Sequence, residues 1–194
     1  MKRNAEVKRK TNETEAFVSV NLDGTGVYLV DTGIGFLNHM LETFSKQSLI
    51  DLKIKLKGDL KVDEHHTVED AGIVIGEAIN KALGKRVGVK RYGFVVPMDE
   101  SLAEVAIDLG GRRYVEFNCG YLREKVGDLP TELVEDFFRA LAENLRASIH
   151  VNVKYGRNDH HKIEAVFKAF GRALRMACEE DLRINDIPST KGVI

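Results

Sequence analysis

The chain alternates between two hydrophobic spacings, and it does so twice. Phe17-Val-Ser-Val-Asn-Leu-Asp23 and Asp51-Leu-Lys-Ile-Lys-Leu-Lys57 place apolar residues at every second position, the period of a strand with one buried face. Leu102-Ala-Glu-Val-Ala-Ile-Asp-Leu109 and Ser148-Ile-His-Val-Asn-Val153 do the same further on. Helical spacing opens at Phe36-Leu-Asn-His-Met-Leu41 and again at Leu133-Val-Glu-Asp-Phe-Phe138. Two more amphipathic helices follow Gly58 and Gly156, carried by Ala71, Gly76, Ala78, Ile79, Ala82 and Leu83 and by Ala165, Ala169, Gly171, Ala173 and Leu174.

Each series runs strand, helix, strand, helix, so the pattern predicts a tandem duplication. Residues 1–88 form one half and 89–194 the other, with Gly84-Lys-Arg-Val-Gly88 as the seam. Each half is expected to be a small α+β unit whose helices cover one face of a mainly antiparallel sheet, leaving the other face for a partner. Gly120 to Pro130 reads as a charged loop, and Lys2, Arg3, Lys8, Arg9 and Lys10 as a solvated basic arm.

With 194 residues, 43% of them hydrophobic, the chain is long enough for a substantial core, and disorder is not expected. A net charge of -1 gives no overall drive toward nucleic acid. An aromatic content of 7% without tryptophan also leaves few platforms for stacking RNA bases. Cys119 and Cys178 lack CxxC spacing, which excludes a disulfide framework and a thiolate zinc site and predicts reduced, partly buried thiols. No apolar run is long enough for a membrane span, and the charged N-terminus leads into Thr11-Asn12-Glu13-Thr14, so a cytoplasmic protein with no membrane partner is expected.

The duplication is sharpest in two short blocks, His65-His66-Thr67-Val68-Glu69 and His160-His161-Lys162-Ile163-Glu164, which hold four of the six histidines. Within each, the first histidine and the glutamate lie about 40° apart on a helix and can share a cation. The second histidine is rotated by about 100° and faces elsewhere, a geometry suited to a pair of metals. One such block reads equally well as a polar helix start; the second copy favours ligation. His39 overlays Asp136 in the duplication, so the ligand inventory is His39, His65, His66 and Glu69 in one half and Asp136, His160, His161 and Glu164 in the other. Imidazole and carboxylate without thiolate fit zinc, iron, nickel or manganese, and a set of four leaves octahedral positions for substrate and water, which makes manganese reasonable. His150, on a strand, is expected to pack or hydrogen-bond.

The remaining polar residues point to an anionic substrate. Arg91 and Arg112 occupy turn or strand-edge contexts where a guanidinium can bind phosphate in bidentate fashion. Lys168 follows Glu164 by one helical turn on the ligand face, and Pro188-Ser-Thr-Lys-Gly192 offers hydroxyls, amides and an ammonium. Asp99 and Glu100 read either as acids supporting the ligands or as a polar loop.

Longer motifs are more specific than either block. Arg9-Lys-Thr-Asn-Glu-Thr14, Thr32-Gly-Ile-Gly-Phe-Leu-Asn-His-Met-Leu41, Gly58-Asp59, Asp63-Glu-His-His-Thr-Val-Glu-Asp70, Pro97-Met-Asp-Glu100, Asn158-Asp-His-His-Lys-Ile-Glu-Ala165, Phe167-Lys168 and Pro188-Ser-Thr-Lys-Gly192 span nearly the whole chain. Together they resemble the imidazoleglycerol-phosphate dehydratase family. The resemblance implies halves of a four-stranded sheet with two helices on one face, a hollow 24-subunit homo-oligomer, and two Mn2+ ions per active site at subunit interfaces. The implied ligands are His39, His65, His66, Glu69, His160, His161 and Glu164. Contacts to a small phosphorylated imidazole substrate would fall on Glu13, Arg91, Arg112, Lys168, Ser189 and Lys191.

The implied reaction is metal-dependent dehydration of D-erythro-imidazoleglycerol phosphate to imidazole-acetol phosphate in histidine biosynthesis, with Glu13 and Glu164 as the groups for proton transfer. Three positions depart from the family's pattern. Asp136 and Gln47 stand where histidine is common, and Asn38 where aspartate is usual. A carboxylate at 136 keeps a donor there, although a harder one, whereas Gln47 cannot take up a proton. A metallohydrolase is the nearest rival enzyme, though no HExxH occurs, and a non-catalytic assembly stapled by metal is the structural rival.

Overall fold

Alternation along the strands decides which sheet faces are covered. Ala16, Val18 and Val20 on one strand and Leu52, Ile54 and Leu56 on its neighbour are buried, while Lys53, Lys55 and Lys57 between them are exposed. The computed structural model describes residues 3–93 and 96–194, so Lys2 of the basic cluster lies outside the described residues. The first half contains β1 (Asn4–Lys10), β2 (Thr14–Asn21), β3 (Tyr28–Asp31), α1 (Gly35–Ser48), β4 (Asp51–Gly58) and α2 (His65–Leu83). Its sheet order is β1-β2-β4-β3, antiparallel except where β3 pairs with β4.

The second half contains β5 (Tyr92–Gly93), β6 (Val96–Met98), β7 (Ser101–Asp108), β8 (Tyr114–Asn118), β9 (Lys125–Val126), β10 (Leu129–Pro130), α3 (Leu133–Leu145), β11 (Ser148–Tyr155) and α4 (Asp159–Cys178). Both β5 and β6 pair with β7, together taking the place of β1, and the order then runs β7-β11-β8 with β8 and β11 parallel. The duplicated α+β architecture expected from the pattern is the one observed.

Helices from the two halves pack on one another between the sheets. While α2 lies on β1 and β2 and α4 on β6 and β7, α2 also packs against α3, and α4 against α1. Glycine makes both crossings possible. A Cβ on Gly72 or Gly76 of α2 would come within 2.5 Å of the α3 carbonyls of Phe137 and Leu141, and one on Gly171 of α4 within 2.9 Å of the Phe44 carbonyl in α1. Phe44 stacks on Phe170 at 5.3 Å, and Phe137 and Phe138 meet Phe167 at the same spacing, joining the helices in one aromatic core.

Two expectations are corrected. The basic N-terminal segment is not a solvated arm but the edge strand β1, because Ala5, Val7 and Arg9 alternate inward while Lys8 and Lys10 face out, as an edge strand tolerates. Arg9 donates to the buried Asp70 at 2.9 Å, and Arg3 binds Asp23 and the Cys178 carbonyl. The segment from Gly120 to Pro130 is also more than a charged loop. Val126 and Leu129 are buried in the β9–β10 ribbon, whose Asp128 accepts from the Gly35 and Phe36 amides at 2.6 and 2.9 Å and so caps α1. At the seam, Arg86 is buried and donates to the carbonyls of Leu109 and Leu145, both at 2.6 Å. As expected, both cysteines are free thiols, Cys178 buried and Cys119 partly so, and His150 packs beside Tyr114 at 5.6 Å between ring centroids.

Gly72→Val is expected to force α2 and α3 apart and to cost about 1–3 kcal/mol or more in urea unfolding. An alanine at exposed Gly120, where no atom lies within 4 Å, serves as the control and is expected to leave the midpoint unchanged.

Candidate active site

The conserved order of the duplication places both His-His blocks at helix starts. The Asn158 side chain accepts from the His160 amide at 3.0 Å and caps α4, and Asp63 accepts from the His65 amide at 2.9 Å before α2. From these starts, His160 and Glu164 project together, with Nε2 and Oε2 3.5 Å apart. His39, from α1, brings a third donor, and the donor atoms of His39, His160 and Glu164 all lie within 4.8 Å of one another. Such a cluster of two imidazoles and a carboxylate fits a divalent transition ion.

Among the described residues, that is the one group of three potential ligands so closely gathered. The equivalent cluster, where α2 and α3 begin, is looser. His65 Nδ1 faces Asp136 Oδ2 across α2 and α3 at 3.8 Å, with Glu69 exposed one turn beyond His65. The ligand sets therefore do not divide by halves as the inventory did. His39 joins the block of the second half and Asp136 that of the first, because α1 packs on α4 and α2 on α3.

His66 and His161 turn away from these clusters. His66 Nδ1 lies 3.1 Å from Asp59, with Glu13 at 3.7 Å from Nε2, and His161 Nδ1 lies 2.7 Å from Glu100. Hydrogen bonding to Asp59 raises the His66 pKa, helped by the charge of Glu13, and bonding to Glu100 raises that of His161. Reciprocally, the His161 bond holds the Glu100 carboxyl at about 2. Burial works against ionisation of Glu164, but Lys168 Nζ at 2.9 Å and the nearby imidazoles outweigh it and hold its pKa below the ordinary range. Lys168 also reaches Met98 Sδ at 2.9 Å.

A separate cationic cavity of about 560 Å³ is lined by Arg91, Arg112, Ser189 and Lys191 together with Gly110 and Gly111. Arg91 is oriented there by Asp108, whose Oδ2 accepts from Nη2 at 2.8 Å, and by the Pro188 carbonyl at 3.0 Å. Of the expected phosphate contacts, Lys168 alone is elsewhere, beside Glu164. The cavity and the histidine clusters occupy opposite ends of β7. Glu100 precedes Ser101 at one end and Asp108 closes the other, so the strand spans roughly 24 Å between them. Along α4 the distance is similar, since the Arg91 amide bonds the Ala177 carbonyl, sixteen residues or about 24 Å beyond His161.

Residues 32–174 match the family model for imidazoleglycerol-phosphate dehydratase. The chain belongs to the imidazoleglycerol-phosphate dehydratase family. It is 58% identical to the enzyme of that name from Clostridium acetobutylicum over all of this chain and 98% of the relative. Identity to the one from Acetivibrio thermocellus is 53%, over the full length of both. The crystal structure of imidazoleglycerol-phosphate dehydratase from Staphylococcus aureus superposes with a TM-score of 0.83 at 41% identity, covering 92% of this chain and 99% of that one. The Pyrococcus furiosus protein, solved in complex with (S)-C348, gives 0.82 at 33% identity over 97% of this chain and all of that one.

Membership of the imidazoleglycerol-phosphate dehydratase family makes the protein a hydro-lyase. The family-model match takes in both histidine clusters and Arg91, Arg112 and Lys168, while Glu13, Ser189 and Lys191 fall in the flanks that the full-length relatives cover. The Gly58-Asp59 motif directly after an alternating strand is the one sequence signal for Asp59, and nothing local marks Asp108. No helix among the described residues is long and apolar enough to cross a membrane.

In metal-free protein the His161–Glu100 pair gives a bounded pH response. The contribution of Glu100 is complete above its ordinary 4.5 and fades as the pH falls toward about 2. The contribution of His161 is complete below 6.5 and is lost as the pH rises through its raised pKa. An NMR titration is expected to find the His161 pKa raised in the native protein and lower in Glu100→Gln than in the native protein; an unshifted native ring would contradict the pairing.

Proposed function

We propose that this hydro-lyase dehydrates D-erythro-imidazoleglycerol phosphate to imidazole-acetol phosphate in histidine biosynthesis, in the cytoplasm, using two Mn2+ ions per active site. The protein acts as a homo-oligomer, on the family's pattern a 24-subunit shell, with active sites between subunits. The observation that carries this is the separation of metal ligands from anion cavity. A phosphorylated imidazole of this size extends no more than about 10 Å, so it cannot reach from the histidine clusters to Arg91 and Arg112 of the same chain, roughly 24 Å away. One copy must hold the ring while another holds the phosphate. His66 and His161, turned away from the clusters of their own chain, are the donors a neighbouring copy would use.

A divalent ion held by these residues supplies Lewis acidity toward the imidazole ring of the substrate. The chain's own groups do the rest. Arg91, Arg112, Ser189 and Lys191 fix the phosphate and so convert binding energy into orientation of the glycerol carbons. Glu164 is engaged by Lys168 and His160, which suits a ligand more than a base. Glu13 is exposed beside His66 Nε2, which supports its carboxylate as the base that takes the carbon-bound proton as hydroxide leaves, giving the enol that becomes the ketone. Asp136 lies opposite His65, which supports it as a hard oxygen donor suited to manganese.

Chelation is expected to abolish conversion of imidazoleglycerol phosphate, and added Mn2+ to restore it. Glu69→Gln and Glu164→Gln should each lower bound metal and turnover together; unchanged metal and rate would remove both residues from the site. Arg112→Ala is expected to raise KM about 10–100-fold, the worth of a charged hydrogen bond to phosphate. Metal-loaded protein that assembles yet shows no turnover would support a non-catalytic staple instead.

A further inference from the structure

The second histidine of each block is held from behind by a carboxylate, and the two halves draw that carboxylate from different places. In the second half it is Glu100, in the turn between β6 and β7. Its Oε2 meets His161 Nδ1 at 2.7 Å, and its Oε1 accepts from the Arg157 and Asn158 amides at 3.2 and 3.0 Å, just before α4.

The equivalent turn of the first half, between β1 and β2, carries Glu13. Glu13 directly precedes the buried Thr14, as Glu100 directly precedes the buried Ser101, and Thr14 and Ser101 lie beside the equivalent glycines Gly58 and Gly156. Yet Glu13 approaches His66 from the Nε2 side, at 3.7 Å. Nδ1 is taken instead by Asp59, with its two oxygens at 3.1 and 3.2 Å, from the residue that follows Gly58. The residue after Gly156 is Arg157, which offers Glu100 only its backbone amide.

A neutral imidazole whose Nδ1 faces a carboxylate carries its proton there and keeps the lone pair on Nε2. We propose that Asp59 and Glu100 are positioning residues that set the Nδ1–H tautomer of His66 and His161 and present Nε2 to a divalent ion. Transfer of this task to Asp59 in the first half leaves Glu13 free to face the substrate. The proposal rests on the metal-dependent reading above and assigns the two carboxylates a role in it.

Two measurements test it. Histidine-ring 15N spectra of sedimented metal-free protein, at alkaline pH where the rings are neutral, are expected to show the Nδ1–H tautomer for His66 and His161. That tautomer should be lost for His66 in Asp59→Ala and for His161 in Glu100→Ala, which leave Nδ1 without its acceptor. Mn2+ titrations of the same proteins are expected to show one of the two ions bound about 10–100-fold more weakly in each variant, the other nearly unchanged, with partial recovery in Asp59→Glu and Glu100→Asp. An Nε2–H tautomer in the unmutated protein overturns the proposal even if a variant fails to fold. So do unchanged Mn2+ affinities in both folded variants. Unmutated protein that binds no divalent ion would overturn the metal-dependent reading itself, an outcome visible without any variant.

Discussion

The site depends on how closely the helices of one half can approach those of the other. Gly72 and Gly76 let α2 lie against the α3 backbone, and Gly171 does the same for α4 against α1. Each glycine sits in a helix interior, where it costs about 0.5–1 kcal/mol relative to alanine, but any side chain there would strike a carbonyl oxygen. Because the crossings join opposite halves, His39 meets His160 and Glu164, and Asp136 meets His65. A duplication that packed each half separately would scatter the same residues.

The same layered arrangement separates the two chemistries. Imidazoles and carboxylates gather where α2 and α4 begin, while the guanidinium-lined cavity forms where β7 and α4 end. Along either element the two regions lie roughly 24 Å apart, so no side-chain adjustment within one chain brings them together. On the proposed reading, assembly becomes a condition of catalysis, and the histidines that turn away from their own clusters are the donors a second copy would use.

Carboxylates do much of the orienting. Asp128 reaches from the β9–β10 ribbon to cap α1, so the helix bearing His39 is placed by a residue of the other half. Asp108 aims Arg91 into the anion cavity, and Asp70 anchors the edge strand that leads to Glu13 through Arg9. Carboxylates outside the histidine clusters thus decide where several of the candidate site's side chains and helices point.

Periodicity by itself determined the duplication, the main strands and helices, and the direction in which each histidine of a block faces. These follow from local chain geometry, since period two and a 100° step per residue need no knowledge of neighbours. The same local logic failed for β1, whose alternating lysines and arginines look solvated until β2 and Asp70 are beside them. It also could not assign His39 to the block of the other half, or see that Lys168 stands apart from Arg91 and Arg112. Those facts come from contacts between residues far apart in sequence, and only the packing of helices across the two halves decides them.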